Sequence, residues 1–145
     1  MTDKVGPYFC TAPWTHTYVS PQGERRLCCA SREDASFQKQ YIDAGDSDNT
    51  EFAPISLDEH WNSEYMKDIR KRILAGEKIS QCDVCNNQVL NLHTYKDYFT
   101  KNLFSHKVED IIASTREDGY TSMQPISFDY RISNLCNFKC RMCGE

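Results

Sequence analysis

Long hydrophobic runs are absent from this sequence. No stretch approaches the roughly 18 consecutive apolar residues of a membrane-spanning helix, so no membrane span is expected. The first residues, Met1-Thr2-Asp3-Lys4-Val5-Gly6-Pro7, lack the apolar core of a secretory signal, and a cytoplasmic setting is the expectation. Positive charge is not in excess. Lys and Arg number 17 against 21 Asp and Glu, a formal net charge of -4. That balance argues against a general binder of phosphate backbones, and nucleic acid is not an expected partner. Glycine patterns of the phosphate-loop or dinucleotide type are missing, as are internal repeats and low-complexity tracts. An aromatic content of 12% argues against a disordered chain. A length of 145 residues fits one domain, or one domain and a piece of another.

Cysteine is what the sequence has in abundance. Eight cysteines in a chain without an export signal point away from disulfides, which a reducing cytosol disfavours, and toward metal. A disulfide-stabilised secreted domain would need an export route that the sequence does not show.

The local pattern is α+β. His16-Thr17-Tyr18-Val19-Ser20 and Arg25-Arg26-Leu27-Cys28-Cys29 favour strands, and Pro21-Gln22-Gly23-Glu24 between them supplies turn chemistry, so a β-hairpin is expected. Residues 32–54 are polar and acidic and read as a solvated loop. Ser56-Leu57-Asp58-Glu59 fits a capping box that opens a helix. Trp61, Tyr65, Ile69 and Ile73 then recur at i+4 as a core-packing stripe, and Gly76 is a helix stop. The Cys82-Asp83-Val84-Cys85 segment reads as a loop. A second helix is expected from about residue 87 to 104, with Leu92, Tyr95, Phe99 and Leu103 on one face. A third is expected over about residues 108–116, ended by Gly119. The stretch from Pro125 to Ile132 alternates apolar and polar residues as a strand does.

That strand runs into Cys136-Asn137-Phe138-Lys139-Cys140-Arg141-Met142-Cys143, a C-x3-C-x2-C spacing. Three thiolates on a short loop can hold three corners of a cubane cluster and leave the fourth iron open, as catalytic zinc keeps an open position. The motif resembles the signature of the radical S-adenosylmethionine superfamily. The resemblance implies that Cys136, Cys140 and Cys143 hold a 4Fe-4S cluster after the first strand of a β/α barrel. It further implies that S-adenosylmethionine binds the open iron, with Phe138 and Met142 available to pack beside it, and is cleaved reductively to a 5′-deoxyadenosyl radical. Met142 stands where the family often has an aromatic residue. Lys139 and Arg141 flank the loop and could offset its negative charge.

A second set of cysteines lies upstream. Cys10 is followed by twelve residues, Gly23, four residues and Cys28, and Cys82-x2-Cys85 comes later. The stretch Phe9-Cys10-Thr11-Ala12-Pro13-Trp14, the Gly23 turn, Cys28-Cys29 and Trp61-Asn62-Ser63 resemble the auxiliary-cluster module of radical S-adenosylmethionine enzymes. Its longer form is called SPASM and its shorter form twitch; four ligand cysteines suit the shorter. The resemblance implies a closed 4Fe-4S site on Cys10, Cys28, Cys82 and Cys85, suited to electron transfer, substrate placement or structural support. Cys28 or Cys29 can fill the second position; the glycine spacing favours Cys28, and on a strand the two would face opposite sides. In most of the family this module follows the barrel, and here it comes first.

The expected organisation is therefore a twitch/SPASM-like module at residues 1–105, a helical connector at 106–124, and the start of a radical S-adenosylmethionine core at 125–145. A barrel of this kind needs about 200 residues or more, so the sequence reads as a truncated fragment, inactive by itself. Expected partners are S-adenosylmethionine, a reducing electron donor and a substrate of peptide or protein type. The rival expectation is a non-catalytic interaction module with a four-cysteine structural zinc. His16, His60, His93 and His106 show no tight spacing to cysteine and are expected at the surface or half-buried. Arg70-Lys71-Arg72 reads as a solvated basic face.

Overall fold

The computed structural model describes residues 5–21, 23–33, 55–87 and 94–131. The acidic stretch 34–54, Leu92, His93, and the cluster loop with Cys136, Phe138, Cys140, Met142 and Cys143 lie outside the described residues.

A short helix, α1 (Ala12–Thr15), with Pro13 in its first turn, leads directly into β1 (His16–Val19). Strand β2 (Arg25–Arg26) returns antiparallel to β1, with Tyr18 opposite Arg26 and Val19 opposite Arg25. The expected hairpin is present. Gly23 takes a positive φ of 84° in its turn, a conformation glycine adopts without steric cost. The second strand is shorter than expected. Its pairing stops because the Leu27 N–H turns away to the Glu33 carboxylate, 2.7 Å distant, and Cys28 to Ser31 close a turn of their own.

The capping box at Ser56 and Glu59 opens α2 (Leu57–Trp61). The single helix expected from residue 56 to 75 is instead two. Ser63 starts a new helix, α3 (Glu64–Leu74), by accepting the Met66 N–H on its hydroxyl. Asn62, at the break, accepts from Arg70 and bonds both the N–H and the C=O of Thr121. Asn and Ser interrupt the helix because their side chains compete for backbone partners. The Trp61–Ile73 stripe survives the break and packs into the core. Gly76, at φ 78°, closes α3: its N–H reaches Ile73 O and the Glu77 N–H reaches Arg72 O, the paired bonds of a Schellman ending.

Residues Ser80–Cys82 form a 3-10 turn that passes into α4 (Asp83–Asn86), so the C-x2-C pair sits on helical turns rather than in an open loop. Helix α5 (Tyr95–Asp97), capped by Thr94, continues as a π-helical turn over Tyr98–Leu103. The wider π turn breaks the expected stripe: Phe99 is buried, whereas Tyr95 and Leu103 are exposed. Helix α6 (Val108–Ser114) ends at Thr115, before Gly119. Gly119 serves instead in a tight turn, with its N–H on Arg116 O and Thr115 paired to Thr121. Strand β3 (Ser127–Tyr130) then pairs parallel with β1, giving the sheet order β2-β1-β3 among the described residues.

Phe9, Trp14, Leu27, Met66, Ile69, Ile73, Ile79 and Ile111 form one buried cluster, so α6 shares the core of the hairpin and α3. The two buried indole N–H groups are satisfied, Trp14 by Thr115 Oγ1 and Trp61 by Met123 O, both at 2.8 Å. Arg70 is not on a solvated face. It is 0% exposed, bonds Pro13 O and Asn62 Oδ1 at 2.9 Å, and lies over the Trp61 ring. Arg70 lies one turn from Met66 and one turn from Ile73 on the buried face of α3, beside the i+4 stripe that the sequence shows. His16 and His60 are also more buried than expected. Among the described residues, no helix is long and apolar enough to cross a membrane.

Candidate metal centre

Four separate elements deliver cysteines to one place. Cys10 follows a backbone turn in which the Phe9 N–H bonds Gly6 O, and it lies just ahead of α1. Cys28 sits in the turn after β2. Cys82 ends the 3-10 turn, and Cys85 rides on α4. All four line a single cavity, whose other walls include Ala12, Leu27, Tyr95 and Phe99. Cys29 is not among the residues that line it; its thiol meets the Tyr95 hydroxyl instead. The pair diverges because both residues lie in a turn, not on opposite faces of a strand as expected. Among the described residues, no three Cys, His, Asp or Glu side chains close tightly on a single point as ligands of one ion would.

The electrostatics follow from the burial. Desolvation pushes the Cys10 thiol up to about 12, against the pull of the Ala12 N–H that its sulfur accepts at 3.5 Å; Cys82 and Cys85 add to the rise. Burial raises Cys28 as well, and its neighbour Cys10 adds to that. Cys82 rises to about 12 through burial, then through Cys28 and Cys85. Each sulfur thus feels others of the set. Thiolates crowded in an apolar cavity repel one another and lose hydration, so they hold their charge together only when cations share the cavity. Lys96 is the cationic side chain on the wall. It bonds Pro7 O at 2.9 Å and Asn86 Oδ1 at 3.4 Å, and it draws the Cys82 pKa down.

Behind the cavity lies Glu33, 4% exposed. It was expected in the solvated acidic loop. Instead it accepts from Leu27 N–H, from Ser31 Oγ and, at 3.0 Å, from Tyr65 Oη. Lys96 and Glu33 escaped sequence reading: nothing in their local pattern tells a site lysine from a surface one, or a buried glutamate from one in an acidic loop. Of the expected stripe, Phe99 did mark a packing position, without saying that it packs with Cys10. The remaining predicted ligands, Cys136, Cys140 and Cys143, fall outside the described residues.

A cavity carrying four thiols, from the segment before α1, the turn after β2 and a C-x2-C pair on consecutive helical turns, is the donor set of a thiolate-rich metal-binding domain. Residues 10–87 match the family model of SPASM, an iron-sulfur cluster-binding domain, and this match covers more than half of the 145 residues. The chain belongs to the SPASM iron-sulfur cluster-binding family. Comparison with curated proteins and with solved structures gave no match.

Proposed function

We propose that Cys10, Cys28, Cys82 and Cys85 together hold one 4Fe-4S cluster, and that residues 125–145 begin a radical S-adenosylmethionine core with a second cluster on Cys136, Cys140 and Cys143. The observation that carries the reading is the sharing of one cavity by the four cysteines of the matched module. Their donor chemistry fits: four soft thiolates and apolar walls suit iron-sulfur, and the family membership favours it over zinc. The second cluster would supply reductive cleavage of S-adenosylmethionine to a 5′-deoxyadenosyl radical, for hydrogen abstraction from substrate.

The chain's own residues do the remaining work. The Ala12 N–H donates to Cys10 sulfur and helps to hold it as thiolate. Phe99 and Leu27 keep water from the sulfurs. Lys96 places a positive charge beside a centre whose thiolates carry negative charge. Strand β3, which precedes the second cysteine set in the sequence, pairs with β1, which starts six residues after Cys10. By analogy with enzymes carrying such modules, the proposed substrate is a peptide or protein. A cytoplasmic, reducing setting and a reducing electron donor complete the proposal.

The test is iron, zinc and acid-labile sulfide per chain after anaerobic purification and reconstitution. The reading expects about eight iron and eight sulfide, and about four of each in the Cys136→Ala, Cys140→Ala, Cys143→Ala triple variant. One zinc with little iron, unchanged in the triple variant, would establish the structural zinc module in its place.

A further inference from the structure

We propose that Glu33 is the positioning residue of the auxiliary site: from behind the cavity wall, its carboxylate fixes the turn that presents Cys28. The inference rests on Cys28 being a cluster ligand.

Glu33 does not line the cavity, but Leu27, Cys28 and Ser31 do. Its Oε2 accepts the Leu27 N–H at 2.7 Å on one side of Cys28 and the Ser31 hydroxyl on the other. The Ser31 oxygen in turn accepts the Cys28 N–H at 3.3 Å. A chain of bonds therefore runs from the Cys28 N–H to the Ser31 oxygen and from the Ser31 hydroxyl to the carboxylate, with Cys28 O, 2.8 Å from that hydroxyl, as its alternative acceptor. The second carboxylate oxygen accepts the Tyr65 hydroxyl of α3 at 3.0 Å, which ties the turn to the core. One residue before Glu33, the Arg32 N–H bonds Gln81 O at 3.0 Å, next to Cys82. Residues 27–33 are thus stitched both to the core and to the C-x2-C element.

Packing alone does not account for a carboxylate here. Glu33 makes no close ion pair among the described residues, Arg26 aids its charge from a distance, and that charge opposes the charge on Cys28 and Cys82. An apolar side chain would fill the space without the desolvation cost. A carboxylate gathers all three donors, with Leu27 N–H and Ser31 O–H on one oxygen and Tyr65 O–H on the other. The groups behind a metal ligand are what fix its direction, and losing one costs typically 10–100-fold in metal affinity.

The experiment uses the full chain with Cys136, Cys140 and Cys143 changed to alanine, so that only the auxiliary site loads. Iron release to a chelator is followed after anaerobic reconstitution, and the thermal midpoint of the metal-free chain is measured alongside. Glu33→Ala is expected to release iron about 10-fold faster or more. Glu33→Gln keeps one oxygen for the Leu27 N–H and the Ser31 hydroxyl, the two bonds beside Cys28, and should recover most of the difference. Glu59→Ala, which breaks the capping box of α2, serves as a comparison that costs stability away from the cysteines. It should lower the midpoint without speeding iron release. If Glu33→Ala does not fold, Ser31→Ala cuts the same chain of bonds and carries the same expectation. Equal release rates for the Glu33 or Ser31 variant and its parent overturn the inference while leaving the cluster intact. The same is true if Glu33→Ala and Glu59→Ala speed release alike. A parent that takes up neither iron nor sulfide overturns the cluster reading, and the inference with it.

Discussion

Two glycines share a backbone conformation and differ in their surroundings, and that contrast can be measured. Gly76 and Gly119 have φ of 78° and 88°. An alanine in the left-handed region costs about 1–2 kcal/mol, offset by about 0.4–1 kcal/mol from the lower entropy of the unfolded chain. A β-carbon at Gly76 meets nothing within 4 Å. Gly76→Ala should therefore cost about 1 kcal/mol. At Gly119 the same carbon would collide with the backbone carbonyl of Lys67 on α3, which cannot rotate away as a side chain can. Overpacking of that kind adds about 1–3 kcal/mol, so Gly119→Ala should cost about 2–4 kcal/mol. Urea unfolding of the metal-free chain reads both from the midpoint at constant slope. For a chain of this length each kcal/mol moves the thermal midpoint by roughly 2–4 °C. Equal losses for the two variants would refute the claim that the Gly119 turn is docked against α3, since conformation alone would then explain both.

Further outcomes follow from buried groups. His60 is 3% exposed, and burial, then Arg25 and Arg70, lower its pKa from 6.5 to about 4. Between those values the unfolded chain binds more protons than the folded one. Its contribution is thus complete above pH 6.5 and is lost as pH falls toward 4, by up to about 3 kcal/mol. Urea midpoints across pH 4–7 should show a shallower fall in His60→Leu than in the parent. Cys28→Ala should lose most auxiliary iron, whereas Cys29→Ala should retain it, because only Cys28 lines the cavity; iron per chain decides this. Arg70→Met removes the side-chain donor to Pro13 O and one of the two donors to Asn62 Oδ1, and should cost about 2–4 kcal/mol in the same urea assay. A cost below about 0.5 kcal/mol would mean that these bonds contribute little net stability.

Much of the site was legible because sulfur chemistry is written in spacing. Cys10, Gly23, Cys28 and the C-x2-C pair marked the module before any coordinates, and the family match covers the same residues. The hairpin, the capping box and the Gly76 stop were legible for the same reason: each depends on a few adjacent residues whose preferences agree. The failures share a physical cause too. Asn62 and Ser63 carry helix-breaking side chains inside a stripe that otherwise reads as continuous, and Asn62 found its partners at Thr121, far along the chain. The π turn at Tyr98–Leu103 moved Leu103 out of the stripe, which a 3.6-residue period cannot foresee. Gly119 looked like a helix stop, since a positive-φ glycine serves a hairpin turn equally well.

The sequence by itself determined the donor atoms, the Gly23 turn and the Ile69–Ile73 part of the core, because these depend on short-range spacing and side-chain chemistry. The tertiary structure alone decided which donors meet. Cys10 and Cys85 are 75 positions apart, and the core that packs α3 and Ile79 against Trp14 and Leu27 brings both to one cavity. The same folding separates Cys28 from Cys29, hides Arg70 beneath Trp61 and sets Glu33 behind the wall. Loop closure leaves no local signature, so the buried charges that it gathers are visible only once the chain has folded.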